Sequence, residues 1–244
     1  MKKQTLLTII SLSCALIASA AEPKDEIIAA AKKLGEQPNY SWKTTVVVPE
    51  SAQFKPGPSD GKTEKDGFTF VTSSFGDNTT QTVLKGVKGA VTGQDGSWQS
   101  LEEVEKEEGF GRFRAIVARN LKVPAVQAAD LAAGIKELKK DGDTYSGDLT
   151  EDAAKTLLSF GRRGAGGDAP SVSNAKASVK FWLKDGALVK YEFKSKGTRS
   201  FNGNDQEIDR TSTVEIKDVG TTKITIPDEA KKETVDLNDS AARQ

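Results

Sequence analysis

Alternation of apolar and polar positions dominates this chain and predicts β-strands along most of its length. The clearest case is in the last third, where Val179, Phe181 and Leu183 alternate with polar residues and the pattern resumes after Asp185-Gly186. Because strand side chains point alternately to opposite faces and Asp-Gly favours tight turns, a long antiparallel hairpin is predicted here. Further strands are predicted over 40–48, 67–75, 78–87, 88–92, 97–99, 135–140, 144–149, 210–219 and 222–226.

Helical spacing interrupts this alternation at three places. Apolar residues repeat at helical intervals over 23–37, where acidic residues come early and lysines come late, which predicts a first helix. Between 101 and 134 the apolar pattern predicts two helices broken near Pro124. Thr150 is suited to cap a helix over 151–160, because its hydroxyl can accept a hydrogen bond from the first turn. Polar loops are predicted over 51–66 and 161–173.

These elements together predict an α+β fold. Long antiparallel strands that are apolar on one face need a cover, and the helical stretch between 101 and 134 is suited to provide it. We therefore predict a curled antiparallel β-sheet, a half-open barrel of about 10–11 strands, covered by this helical insert. A single domain is predicted over 21–228, followed by a polar C-terminal tail over 229–244.

The first 20 residues have the order of a cleavable secretory signal peptide. Lys2 and Lys3 precede an apolar stretch, and Ala18-Ser19-Ala20 ends it with small residues at the cleavage positions. The apolar stretch is shorter than the roughly 20 residues that span a membrane, and acidic residues follow it at once. Cleavage after Ala20 is therefore predicted, with a periplasmic or extracellular location and no transmembrane segment in the mature chain.

Cys14 allows a second interpretation of this segment, in which it becomes the lipid-bearing first residue of a lipoprotein. A short motif of apolar and small residues precedes such cysteines, but Leu12 is one place too near Cys14. Cleavage there would also leave an unusual apolar start over 15–21. Both points favour cleavage after Ala20.

The composition of the mature chain excludes many kinds of chemistry. The sequence has no histidine, and its single cysteine, Cys14, lies within the predicted signal peptide. Disulfides, Cys/His zinc sites and nucleophile systems that depend on histidine are therefore excluded. Without Lys2 and Lys3 the chain carries 33 basic and 35 acidic residues, so no excess of positive charge favours nucleic acid as a partner.

An acidic run over 102–108 and a Gly/Arg segment over 161–167 remain as candidates for chemistry. A calcium loop needs acidic ligands interleaved with Gly and Asn, whereas helical spacing scatters these glutamates, so a solvated helix start is favoured. The Gly/Arg segment lacks the Lys-Ser/Thr pair of a phosphate-binding loop, which favours an ordinary loop. No metal, cofactor or catalytic residue is predicted, and the protein is predicted not to be an enzyme.

Four segments in a particular order resemble a known family. They are the amphipathic start 25–34 leading into Tyr40-Ser41-Trp42, the hairpin Lys88 to Trp98 followed by a helix, Tyr145 to Leu149 before the next helix, and the closing series from Lys180 to Pro227. This order resembles the lipoprotein-carrier superfamily of envelope proteins, which includes the LolA, LolB and LppX/LprG types. The resemblance spans almost the whole mature chain. It implies a half-open barrel whose helices close over an apolar cavity for lipid or lipoprotein acyl chains.

An apolar ligand would be held mainly by aromatic and large aliphatic side chains. The alternative is that such residues only fill the core of a curved sheet. Trp182 lies on the lysine-bearing face of its strand and is the candidate for an exposed or gating aromatic. The residues that we predict to line the cavity are Trp42, Phe68, Phe70, Trp98, Phe113, Ile116, Phe181, Tyr191 and Phe193.

These observations predict an exported envelope protein that binds or carries a lipid or another apolar ligand between a concave sheet and a helical lid. Lid movement near Pro124 or over 161–167 would control ligand access. A second hypothesis is a structural or interaction protein that contacts another envelope protein, which a solid core would favour. A third, a carboxylate-based glycan hydrolase, would need two carboxylates about 5 to 10 Å apart in a cleft.

Overall fold

The strands of this protein join into one sheet, and its helices pack on both faces of that sheet. The computed structural model describes residues 22–52, 55–76, 78–159, 171–201 and 204–234. The predictions for the signal peptide, for Cys14 and for the Gly/Arg segment 161–167 therefore lie outside the described residues. No helix in the described ranges is long and apolar enough to cross a membrane.

The described part of the chain contains eleven strands. They are β1 (Asn39–Val47), β2 (Pro56–Glu64), β3 (Thr69–Phe75), β4 (Asn78–Lys85), β5 (Lys88–Thr92), β6 (Trp98–Ser100), β7 (Lys139–Asp141), β8 (Thr144–Asp148), β9 (Ser171–Lys184), β10 (Ala187–Phe201) and β11 (Asn204–Lys217). Their order in the sheet is β6-β5-β4-β3-β2-β1-β11-β10-β9-β8-β7, and neighbouring strands are antiparallel. The sheet is not closed, because β6 and β7 are its two edges.

Six helices are present in the same residues. They are α1 (Pro23–Gly35), α2 (Leu101–Val104), α3 (Phe110–Arg119), α4 (Pro124–Ala133), α5 (Glu151–Leu158) and α6 (Asp228–Thr234). Together with the open antiparallel sheet they confirm the predicted α+β half-barrel.

The hairpin of β9 and β10 is the longest pair in the sheet, with strands of 14 and 15 residues. Its turn contains Asp185 (φ 52°) and Gly186 (φ 73°), and a type I′ turn requires two such left-handed residues. The register pairs Phe181 with Tyr191, and both side chains are fully buried. The face of the sheet on which these two residues lie is called the inner face below, and the opposite one is the outer face.

Helices α1 and α4 cover the inner face where the largest buried cluster lies. The two helices pack closely because small residues meet between them: a Cβ added at Gly35 would lie 3.4 Å from the Cβ of Ala125. The buried side chains of this cluster include Ile27, Leu34, Tyr40, Trp42, Val71, Leu131, Tyr145, Val179, Phe181, Tyr191, Phe193 and Val214.

Three smaller clusters attach the other helices. Helices α2 and α3 pack on β5 around Val91, and α5 packs on β9 around Ala177. The hydroxyl of Thr150 accepts a hydrogen bond from the N–H of Ala153, so the predicted cap of α5 is confirmed. Helix α6 packs against Val83 on the outer face of β4.

The structure differs from the sequence predictions in several segments, among them the predicted loop 161–173, in which β9 begins at Ser171. The predicted loop 51–66 contains β2, and the predicted strand 222–226 is not a strand. The stretch between 101 and 134 forms three helices instead of two. Helix α6 lies in the stretch predicted to be a polar tail, with Ala230 and Thr234 buried.

Candidate functional site

A strip of the inner face has no helix packed over it in the described part of the chain. It consists of Thr44 and Val46 of β1, Ser59 of β2, Ser73 of β3 and Thr80 of β4. The register aligns four of these, Thr44, Ser59, Ser73 and Thr80, in one row across the sheet. All five side chains are partly exposed, and none belongs to a buried cluster. This strip of five residues is called the trough below.

Trp42 separates the trough from the core under α1 and α4. The indole of Trp42 lies across Gly61 of the neighbouring strand: a Cβ added at Gly61 would lie 2.1 Å from Trp42 Cε2. Tyr40 packs beside it, with 5.9 Å between the ring centroids. The absence of a side chain at Gly61 therefore makes room for the aromatic end of the trough.

Two buried tyrosines hold α4 against the sheet. The hydroxyl of Tyr40 accepts from the N–H of Ala125 (3.4 Å), and the hydroxyl of Tyr191 donates to Oε1 of Gln127 (2.6 Å). Burial raises the pKa of Tyr40 to about 12 and raises the pKa of Tyr191 well above its usual value. Both side chains are therefore neutral near pH 7 and act on α4 as hydrogen-bonding groups.

A carboxylate fixes α1 to the end of the sheet. Oε2 of Glu26 accepts hydrogen bonds from Nζ of Lys140 (2.7 Å) and from the hydroxyl of Tyr145 (2.5 Å). The hydrogen bonds from Lys140 and from Tyr145 hold the pKa of Glu26 below its ordinary value of 4.5. The carboxylate of Glu26 is thus engaged in attaching α1 to β7 and β8.

Helix α3 is fixed on the other side of the trough by an arginine. The guanidinium of Arg114 donates to the carbonyl of Thr92 (2.5 Å) and to Oε1 of Gln99 (3.3 Å). It also lies 3.4 Å from Oε2 of Glu107. These contacts attach α3 to β5 and β6, so the trough lies between two separately anchored groups of helices.

Beyond Val46 the inner face carries two basic residues, Arg210 of β11 and Arg199 of β10. Ser212 is opposite Val46, and Arg210 lies two residues before Ser212 on the same face of β11. Nε of Arg210 donates to Oγ of Ser195 (3.4 Å), a side chain that is fully buried. Burial, followed by the positive charge of Arg199, lowers the pKa of Arg210. A partly buried cation therefore lies next to the trough.

The predicted cavity-lining residues fall into three separate places. Four of them lie together in the core under α1 and α4: Trp42, Phe181, Tyr191 and Phe193. Three others lie in the cluster beneath α6 around Val83: Phe68, Phe70 and Trp98. The last two are on α3: Phe113, which is 43% exposed, and Ile116, which is partly exposed.

Trp182 lies on the outer face, where its ring is flanked by Nζ of Lys180 (5.1 Å) and of Lys190 (4.6 Å) from the centroid. It is partly exposed, as predicted, but it is on the opposite side of the sheet from the trough. Sequence reasoning missed the trough and Arg210. The signal that was available for Arg210 is a charged residue at the position in β11 where alternation places side chains on the inner face.

Three glutamates of the predicted acidic run, Glu102, Glu105 and Glu107, are paired with basic residues. Nζ of Lys88 lies 2.9 Å from Glu102, and Nε of Arg119 lies 2.7 Å from Glu105. No group of side chains suited to a metal ion is found within the described ranges.

A cavity of about 40 Å³ lies beside the Lys88–Glu102 pair, far below the roughly 300–1,000 Å³ of typical ligand pockets. It is lined by residues of β5, β6, α2, α3 and α6. This cavity is therefore too small for an acyl chain, and the trough is the candidate site.

The architecture defined by these features is an open antiparallel half-barrel with helices attached at its two ends and an uncovered strip between them. No family model matches the sequence, and no curated protein matches it either.

Solved structures resemble the fold. The lipoprotein LppX of Mycobacterium tuberculosis is 10% identical with a TM-score of 0.46, over 84% of this chain and 97% of that one. LprF of Mycobacterium bovis is 11% identical with a TM-score of 0.46, over 85% and 96%. A DUF1329 family protein of Desulfovibrio piger is 9% identical with a TM-score of 0.33, over 84% and 94%. These likenesses agree with the architectural resemblance stated above. All three TM-scores lie below 0.5.

Proposed function

We propose that this protein is an exported, non-enzymatic binding or carrier protein that holds the apolar part of an amphiphile in the trough. The observation that carries this proposal is the partly exposed row of Thr44, Ser59, Ser73 and Thr80 between two anchored groups of helices. A row of this kind in the middle of a sheet would bury its remaining surface when an acyl chain or similar group lies on it. Export is inferred from the N-terminal sequence.

The trough suits an amphiphile better than a wholly apolar lipid. Its floor combines methyl groups from Val46 and the two threonines with hydroxyl groups from the threonines and the two serines. Small ligand sites usually combine an apolar surface with a few polar groups that fix orientation. The hydroxyls supply such groups along the row.

Helix α4 is the element suited to move when a ligand binds. Its buried side consists mainly of alanines, so separating it from α1 exposes less apolar surface than large side chains would. Its attachment also depends on the hydroxyls of Tyr40 and Tyr191. A short linker before Pro124 allows α4 to shift while Arg114 keeps α3 attached to β5 and β6.

The absence of enzymatic activity is part of this proposal. The sequence has no histidine, and every carboxylate of the strands lies on the outer face by the register of the described strands. The trough therefore has neither a histidine nor a pair of carboxylates for acid–base chemistry.

A protein-interaction role is the second candidate, and the filled core favours it. Phe181 and Tyr191 have no exposed surface, so the space under α1 and α4 has no room for a ligand. In that case the helices would serve as a rigid surface for another envelope protein.

The test is native mass spectrometry of the full chain purified from a cell that exports it, with lipid extraction of the same sample. We expect an amphiphile bound at a near one-to-one ratio. Thr80→Trp fills the trough and should remove the ligand, whereas Thr79→Trp, its neighbour on the outer face, should keep it. A ligand-free mass for the unmodified chain, also after incubation with envelope lipids, would favour the interaction protein.

A further inference from the structure

The charge distribution on the inner face singles out Arg210. Arg199 and Arg210 are the two charged residues on the inner face of β10 after Phe193 and of β11 up to Ser212, which is paired with Phe193. The other inner-face residues of this stretch are neutral. The other charged inner-face residue in the described strands, Lys140, is paired with Glu26. Arg210 is partly buried and forms no ion pair with a carboxylate within 4 Å among the described residues, and the positive charge of Arg199 acts on it.

This arrangement is unfavourable for the protein by itself. A cation that is removed from water needs a negative partner or a full set of acceptors, and like charges raise the cost. The acceptors near Arg210 and Arg199 are neutral: Oγ of Ser195 at 3.4 Å and Oε1 of Gln206 at 2.5 Å. A guanidinium carries five N–H donors in a fork that suits the oxygens of phosphate and carboxylate groups. An oxyanion would therefore accept hydrogen bonds from the guanidinium N–H groups and balance the positive charge that the protein leaves without a negative partner.

The position of the pair connects it to the trough. Arg210 precedes Ser212 by two residues on the inner face of β11, and Ser212 is directly opposite Val46 at the end of the trough. Residues two apart on a strand are separated by about 7 Å, so a ligand lying on Val46 would reach the guanidinium of Arg210 with its next few atoms.

We propose that Arg210, held by Ser195 and acting together with Arg199, binds the oxyanion head group of the amphiphile whose apolar part lies in the trough. This inference rests on the proposed function and specifies its ligand class as anionic, with a phosphate or a carboxylate at one end. It also assigns the ligand an orientation, with the head group on β10 and β11 and the chain directed along the trough toward β4.

The test compares probes that share one chain and differ in the head group. Dodecyl phosphate, dodecanol and inorganic phosphate are titrated into the full chain below their aggregation concentrations, with binding followed by calorimetry. We expect dodecyl phosphate to bind at least tenfold more tightly than dodecanol, and inorganic phosphate to bind weakly. The variant Arg210→Gln should lose this preference while its affinity for dodecanol stays within about twofold.

The matched control is Lys194→Gln, which removes one positive charge from the outer face of the adjacent strand. It should keep the preference for dodecyl phosphate. If Arg210→Gln also keeps the preference for dodecyl phosphate while dodecanol binds, the assignment of the head group to Arg210 is wrong and the carrier function stands. If neither dodecyl compound binds to the unmodified protein, both proposals fail. If inorganic phosphate binds as tightly as dodecyl phosphate, the site takes a free anion and the head-group assignment is overturned.

The Tm of a second variant, Arg210→Met, tests the same site if Arg210→Gln binds none of the probes. An unpaired, partly buried cation should lower the unfolding free energy of the ligand-free protein. Arg210→Met should therefore raise the Tm measured without ligand. A lower Tm for Arg210→Met would mean that the arginine stabilises the fold by its own contacts, which contradicts a site kept for an anion.

Discussion

Gly61→Ala tests how the aromatic end of the trough is built. The new Cβ would lie 2.1 Å from Cε2 and Cζ2 of Trp42, roughly 1.3 Å closer than ordinary van der Waals contact. Trp42 is 6% exposed and has Tyr40 at 5.9 Å, so the indole has little room to move away. The same substitution in an unobstructed strand would be neutral or slightly favourable, since glycine is a poor strand former.

The expected cost is that of overpacking, about 1–3 kcal/mol of unfolding free energy, or a Tm lower by about 2 to 12 °C for a chain of this size. Urea unfolding followed by tryptophan fluorescence measures it. Ser59→Ala, two residues earlier on the same face, is the matched control and should change the unfolding free energy by less than about 0.5 kcal/mol.

A double-mutant cycle decides whether the cost comes from the indole. In a Trp42→Leu background, Gly61→Ala should cost less than about 0.5 kcal/mol, because the atoms that it meets are gone. If Gly61→Ala costs the same in both backgrounds, the contact between Trp42 and Gly61 does not shape this end of the trough.

Three further substitutions test the anchoring of the helices. Glu26→Gln should lower the unfolding free energy at pH 7. The difference from the unmodified protein should shrink as the pH falls below 4.5, because the pKa of Glu26 is depressed and its pairing with Lys140 is lost on protonation. A difference in urea midpoint that is equal at pH 7 and pH 3 would contradict this. Thr150→Ala should cost about 1 kcal/mol by removing the cap of α5, measured by thermal unfolding. Tyr191→Phe should cost about 0.5–1.5 kcal/mol and increase hydrogen exchange in α4, because Oε1 of Gln127 loses its donor; unchanged exchange would show that α4 is held without it.

The long hairpin and the first helix could be predicted because a single physical signal controls each of them. Alternation together with the Asp185-Gly186 turn determines β9 and β10, and helical spacing with charges at the ends determines α1. Strand β2 could not be predicted in this way. Its inner-face residues are Ser59, Gly61 and Thr63, and the large side chain at this place is Trp42 of the neighbouring strand.

The errors after Lys217 have a similar origin. Ile224 and Ile226 alternate as in a strand, but they pack against the outer face beside Val83 and do not join the sheet. Helix α6 has one apolar residue, Ala230, so its short sequence resembles a polar tail. In both segments the structure depends on packing against distant strands, which local spacing does not show. The third helix of the insert has a local cause, because Gly109 (φ 62°) separates α2 from α3.

The site was harder to predict than the fold. The predicted cavity lining consists mainly of aromatic residues, and the structure divides these residues between the core, the outer face and α3, because the register decides which face each side chain is on. Hydroxyl residues such as Thr44 and Ser73 are common on any strand and carry no local sign of a ligand. Arg210 becomes notable only when the register places it on the inner face beside Ser195.

Photocrosslinking with a diazirine-bearing fatty acid tests the central claim most directly. The probe is bound to the full chain, irradiated, and the labelled residues are located by peptide mass spectrometry. The account predicts labels on the inner-face positions of β1, β3 and β4, around Val46, Ser73 and Thr80, that are lost in Thr80→Trp and kept in Thr79→Trp. Labels confined to the outer face or to α6, or no labelling above that of a denatured sample, would contradict it.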